Sequence, residues 1–147
     1  AAWAEATVPE PTLYPGEQAG RVGGRCRVIE HWAHTLVEDA TWQWAVVDAA
    51  DRFEDADERW RFVEFQERRF GDLDLHAKKR EALWQGVLEV CELAEGMLAD
   101  QAFLLGDAPS LADLALYGGL HPLVFVDQGV PKEHAGLQAW WQRVDAL

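Results

Sequence analysis

Cationic side chains are scarce in this chain: 13 Lys and Arg stand against 26 Asp and Glu, a net charge of −13 over 147 residues. A surface this acidic repels a phosphate backbone unless its basic residues gather in one stripe. The only dense cluster is Lys78-Lys79-Arg80, with Arg68 and Arg69 nearby, and it sits among Glu and Asp as a solvated helix face would. Nucleic acid is therefore not an expected partner. Cysteine is equally sparse. Cys26 and Cys91 both fall inside helix-like patterns and read as small core residues, not as a disulfide framework. No apolar run approaches the ~20 residues that a membrane helix needs, and no Arg/Lys-flanked leader opens the sequence. No membrane partner is expected, and the expected location is cytoplasmic. Alternating strand patterns are almost missing, whereas helical periodicity is nearly continuous.

What remains is a chain with 49% hydrophobic residues and eight tryptophans, enough for one folded domain with a real core. Residues 1–16 carry three prolines and a glycine in the stretch TVPEPTLYPG and read as a helix end followed by an extended connector. A long helix is predicted from Glu17 to about Ala50. One apolar stripe runs Val22, Cys26, Ile29, Ala33, Leu36, Ala40, Trp44, Val47, and a second runs Val28, Trp32, Thr35, Trp42, Val46. Two stripes imply burial on two sides. Further helices are predicted over residues 51–72, ending at Gly71, and over 73–98, with Leu83, Val87, Val90, Cys91, Ala94, Met97 and Leu98 inward. Another starts at Leu111, with a break or kink near Gly118, Gly119 and Pro122. A last helix uses Leu137, Trp140, Trp141 and Val144. The expected fold class is all-α, a bundle of about five helices with short connections.

Within FLLGDAPSLADLALY, residues 103–117, Ser110 precedes the helix and Asp113 stands three positions on. That spacing is a capping box with Asp in place of Glu, and Pro109 and Leu114 are placed to form the accompanying staple. The whole string F-L-L-G-D-x-P-S-x-A-D-x-x-L-Y resembles the signature of the C-terminal helical domain of glutathione S-transferases. WAEATVPEPTLYPGEQAGRV resembles the segment that joins that domain to its thioredoxin-like N-terminal partner, and HAGLQAWWQRVDAL resembles the family's late tryptophan-containing helix.

The resemblance implies a division of the chain. Residues 1–16 would be the end of the last thioredoxin-like helix plus the linker, and residues 17–147 the helical domain. Ser110 and Asp113 would be a folding element, with no catalytic residue in the chain. It further implies that the parent protein conjugates or reduces small hydrophobic electrophiles with glutathione as co-substrate. Glutathione would be bound and its sulfur activated by the thioredoxin-like domain, which the chain lacks, so this chain alone would be inactive. A homodimer is the implied assembly. The helical domain would contribute the wall of the hydrophobic pocket, and the polar edge of the long helix, Arg27, His31, His34 and Glu38, is the positional candidate for it. Two alternatives stay open. The same fold also serves as a non-catalytic protein-interaction module, for which Trp32, Trp42, Trp60 and Phe62 would suit a docking surface. A helical-bundle metal site would draw on His31, His34, Glu38 and His76, but no second Glu-x-x-His set matches it, so no metal is expected.

Overall fold

The computed structural model describes residues 21–147; the expected connector over residues 1–16 and the start of the long helix lie outside them. The chain runs α1 (Arg21–Trp32), a π-helical turn (Ala33–Val37), α2 (Glu38–Ala50), α3 (Ala56–Phe70), α4 (Leu73–Lys78), α5 (Arg80–Leu98), α6 (Leu111–Phe125) and α7 (Ala135–Asp145). The all-α class is as expected. The first three pieces form one continuous rod, so the described residues form six helical bodies, one of them the short α4.

Local chemistry sets the boundaries. The Asp55 side chain accepts from the backbone N–H groups of Asp57 and Glu58 and starts α3, while Gly71 at φ 85° ends it. Asp72 then caps α4 through the Asp74 N–H. The N-terminus of α7 has no side-chain cap of its own; Glu95 of α5 supplies it from across the bundle, accepting from Gly136 N at 2.9 Å and Leu137 N at 2.6 Å.

Helix α6 occupies the centre. It packs on α1, the π turn, α2 and α7, and buries Ala112, Asp113, Ala115, Leu116, Gly119, Leu120, Pro122 and Leu123. The break expected near Gly118, Gly119 and Pro122 does not occur: α6 is helical through all three. Gly119 is there for a close crossing. A Cβ on it would lie 3.1 Å from the Ala33 carbonyl oxygen and 3.3 Å from Val37 Cγ1. At the same crossing the buried Thr41 hydroxyl donates to the Gly119 carbonyl at 2.6 Å.

The π turn corrects the sequence stripes. The Glu38 N–H reaches back five residues to the Ala33 carbonyl, not four, and one extra residue in a turn rotates everything after it by roughly 100°. The buried line therefore runs Cys26, Ala33, Val37, Thr41, Trp44, Ala45, Ala49. Leu36, expected inward, is 58% exposed, and Thr35 is exposed as well; before the turn, Val22 is 38% and Val28 of the second stripe 69% exposed. In α5 the expected face holds, with Val87, Val90, Cys91, Ala94 and Leu98 buried.

Candidate functional site

Arg27, His31, His34 and Glu38 do not converge. Arg27, His31 and His34 are exposed and Glu38 is half-buried. Only His34 and Glu38 meet, Nδ1 to Oε2 at 3.6 Å. The π turn, Ala33–Val37, lies between His31 and Glu38. Glu38 instead turns toward α3. Arg69 donates to its Oε1 at 3.3 Å and to Asp39 Oδ1 at 2.6 Å, with the guanidinium 4.7 Å above the Phe70 ring.

A recess of about 430 Å³ opens between α2 and α6, lined by Glu38, Trp42, Gly118, His121, Pro122 and Phe125. It belongs to the outer face of α6, where Leu114, Gly118, His121 and Phe125 follow at spacings of four, three and four and so share one side of the helix. Leu114 is 40% and Phe125 44% exposed. Of these recess residues only Glu38 stood in the sequence-based site set. In the sequence Trp42 reads as part of an apolar stripe or of a possible docking surface, and Phe125 is not singled out, because an aromatic at helical spacing reads equally as core. A second apolar groove, about 280 Å³, lies between α1 and α5 and is lined by Val28, Ile29, Trp32, Leu93 and Met97.

Among the described residues, both thiols and Tyr117 are poorly placed for covalent chemistry. Burial pushes the Cys26 thiol up, and the Cys91 thiol up to about 12, the reverse of what a nucleophilic cysteine requires. The Tyr117 hydroxyl donates to Asp145 Oδ1 at 2.7 Å, which raises its pKa, and its ring stacks on Trp141 at 4.2 Å. A tyrosine held in that bond has no free proton to offer a sulfur. No group of three or more His, Cys, Asp or Glu among the described residues is arranged to hold a metal ion. His76 spends Nδ1 on the Asp72 carbonyl, 3.0 Å away.

Ser110 and Asp113 meet at the start of α6, both fully buried. Asp113 Oδ2 accepts from Ser110 N at 2.9 Å and from Ser110 Oγ at 2.7 Å. Its Oδ1 accepts from Leu104 N at 2.8 Å and from the Trp140 indole at 2.9 Å. One carboxyl thus joins the loop before α6, the helix itself and α7. The sequence pointed to the Ser110 contact; the other two partners are distant in the chain and left no local sign.

Residues 77–143 match the family model described as "Glutathione S-transferase, C-terminal domain". That stretch is similar to the family's C-terminal domain and makes up just under half of the chain. The match covers α5, α6 and most of α7, including the buried Ser110–Asp113 pair. Among curated proteins, the cytoplasmic methionine–tRNA ligase of Mus musculus is 48% identical over 40 residues. Those residues are 27% of this chain and 4% of that protein's length. No solved structure matches significantly.

Proposed function

We propose that this chain is a glutathione S-transferase C-terminal domain, the docking and pocket-wall half of a larger protein, and that it is catalytically inert by itself. The outer face of α6 carries the reading: a helix whose inner side organises the core still presents Leu114, His121 and Phe125 outward, beside a recess walled by Trp42. An apolar line on the central helix of a bundle is an interface in waiting. A thioredoxin-like N-terminal domain would cover this face and would bind glutathione; the Glu38 end of the recess would border the electrophile. The α1–α5 groove, with Val28 69% and Leu93 58% exposed, would meet a second copy in a homodimer. The parent would act in the cytoplasm, conjugating or reducing small electrophiles.

No residue of this chain is assigned to glutathione. Its thiol needs a donor aimed at the sulfur, and both thiols and Tyr117 are engaged or buried. The coding sequence upstream of Ala1 tests the proposal. A thioredoxin-like domain encoded there, made separately, should bind this chain in calorimetry, and Phe125→Glu should weaken that binding by at least ~10-fold. Glutathione titrated into the chain alone should give no heat. Micromolar binding to the chain alone, or no such domain upstream, overturns the assignment.

A second reading is favoured by one observation, the 40-residue likeness to a methionine–tRNA ligase, a protein named as a ligase and not as a glutathione transferase. Under it the same α6 face docks another protein and no glutathione chemistry occurs. Conjugation of chlorodinitrobenzene by the full parent protein separates the two: turnover supports the transferase, and its absence with an intact fold supports the module.

A further inference from the structure

The recess between α2 and α6 has a chemistry that the rest of the exposed α6 face lacks. Trp42 and Phe125 give it aromatic walls, and no Lys or Arg among the described residues lines it. Beside His121, its polar groups are two acceptors that suit a cation, the Gly118 carbonyl and the Glu38 carboxylate. Pro122 has no N–H, so the Gly118 carbonyl is without the donor an α-helix supplies four residues on. Gly118 is exposed at the recess, and a Cβ there would meet nothing within 4 Å. Glu38 brings a carboxylate that is only partly neutralised. Arg69 lies 3.3 Å from it but 2.6 Å from Asp39, so two carboxylates share one guanidinium. Its other oxygen, Oε2, has only the looser 3.6 Å contact with His34.

We propose that this recess binds an organic cation, an arylalkyl- or alkylammonium group. The ammonium meets Glu38 and the Gly118 carbonyl, and the apolar body lies against Trp42 and Phe125. An ammonium is attracted by aromatic faces as well as by the acceptors, and the volume of about 430 Å³ falls within the ordinary range of small-molecule clefts. The inference goes beyond the docking proposal and does not depend on it, since every group it uses is on this chain.

The test is a pair of titrations of the full chain, one with phenethylammonium chloride and one with the uncharged phenethyl alcohol. Nitrogen-15 NMR would follow the Gly118 amide and the Trp42 indole. Saturable shifts at both positions are expected with the ammonium, with affinity for the alcohol at least ~5-fold weaker. Glu38→Gln should weaken the ammonium by about 5-fold and leave the alcohol unchanged. Phe125→Ala should weaken both. These two side chains are partly exposed, so the unchanged remainder of the spectrum reports an intact fold. Equal affinity for the two probes, no shift with either, or shifts centred on the Val28–Met97 groove would each overturn the proposal.

Discussion

Asp113 is the residue on which the domain turns. Its side chain is fully buried and takes four hydrogen bonds: two from Ser110, one from the Leu104 N–H and one from the Trp140 indole. Truncating such an acceptor strands every donor that faced it, and each buried orphan costs about 1–3 kcal/mol. Asp113→Ala should therefore lower unfolding free energy by roughly 3–5 kcal/mol in a denaturant titration. Trp140→Phe, which removes one donor and keeps most of the ring volume, should cost less than half as much. A loss under ~1 kcal/mol for Asp113→Ala would mean that water replaces the lost acceptor, contrary to its burial. Ser110 differs in kind. Its hydroxyl donates to Asp113, and the Asp113 N–H goes instead to the Ser110 backbone carbonyl at 3.1 Å. The backbone of residue 110 is thus tied down even without the hydroxyl, so Ser110→Ala is the milder change of the pair.

At the scale of elements, the crossing of α6 over the π turn decides the arrangement. Gly119 lets the Ala33 carbonyl approach to a distance that a methyl group would contest at 3.1 Å, and Thr41 closes the contact from the next turn. Gly118, one residue earlier, faces open space. The two glycines should separate cleanly: Gly119→Ala should destabilise by about 1–3 kcal/mol through overpacking. Gly118→Ala should be neutral or stabilise by up to ~1 kcal/mol through helix propensity. Equal thermal shifts for the two would show that the helices slide apart at no cost and that the crossing is not what sets the packing. The same crossing explains where sequence reasoning stopped. The helices themselves were legible, because apolar residues at three- and four-residue spacing mark each core face in α5 and α7, and Gly71 and Asp113 sit where helix ends require them. The π turn was not, because no residue type encodes a five-residue reach. Without it, Leu36 reads as core and Val37 as its shadow, and Arg27, His31, His34 and Glu38 read as one edge. The recess was hidden as well, since Trp42 and Phe125 are 83 residues apart and only tertiary contact puts them together.

For the whole molecule, one continuous core is the governing fact. Cys26 of α1 and Cys91 of α5 belong to the same buried cluster as Val37, Leu116, Leu120 and Trp140. Neither thiol is reached without opening the bundle. In the native chain at pH 8 both should resist dithionitrobenzoate, and both should react fully once guanidinium unfolds the protein. If the core opens as a unit, the two sulfurs gain reactivity at one denaturant midpoint. Burial also links these thiols to pH. The Cys91 thiol is pushed up to about 12 in the fold, from 9.0. The folded state therefore keeps a proton that the unfolded state gives up, and that contribution is fully present below pH 9 and fades as pH rises toward 12. Stability should accordingly fall above about pH 9, approaching 1.4 kcal/mol per pH unit for the one proton involved. In Cys91→Ala that slope should shrink, after allowance for the cavity the substitution leaves. A profile that is flat between pH 8.5 and 10.5 in the unsubstituted chain would mean that the Cys91 thiol is not raised in the fold; one thiol that reacts in the native state while the other does not would divide the bundle into separately opening halves. That outcome would remove the single rigid core against which the outer face of α6 is held.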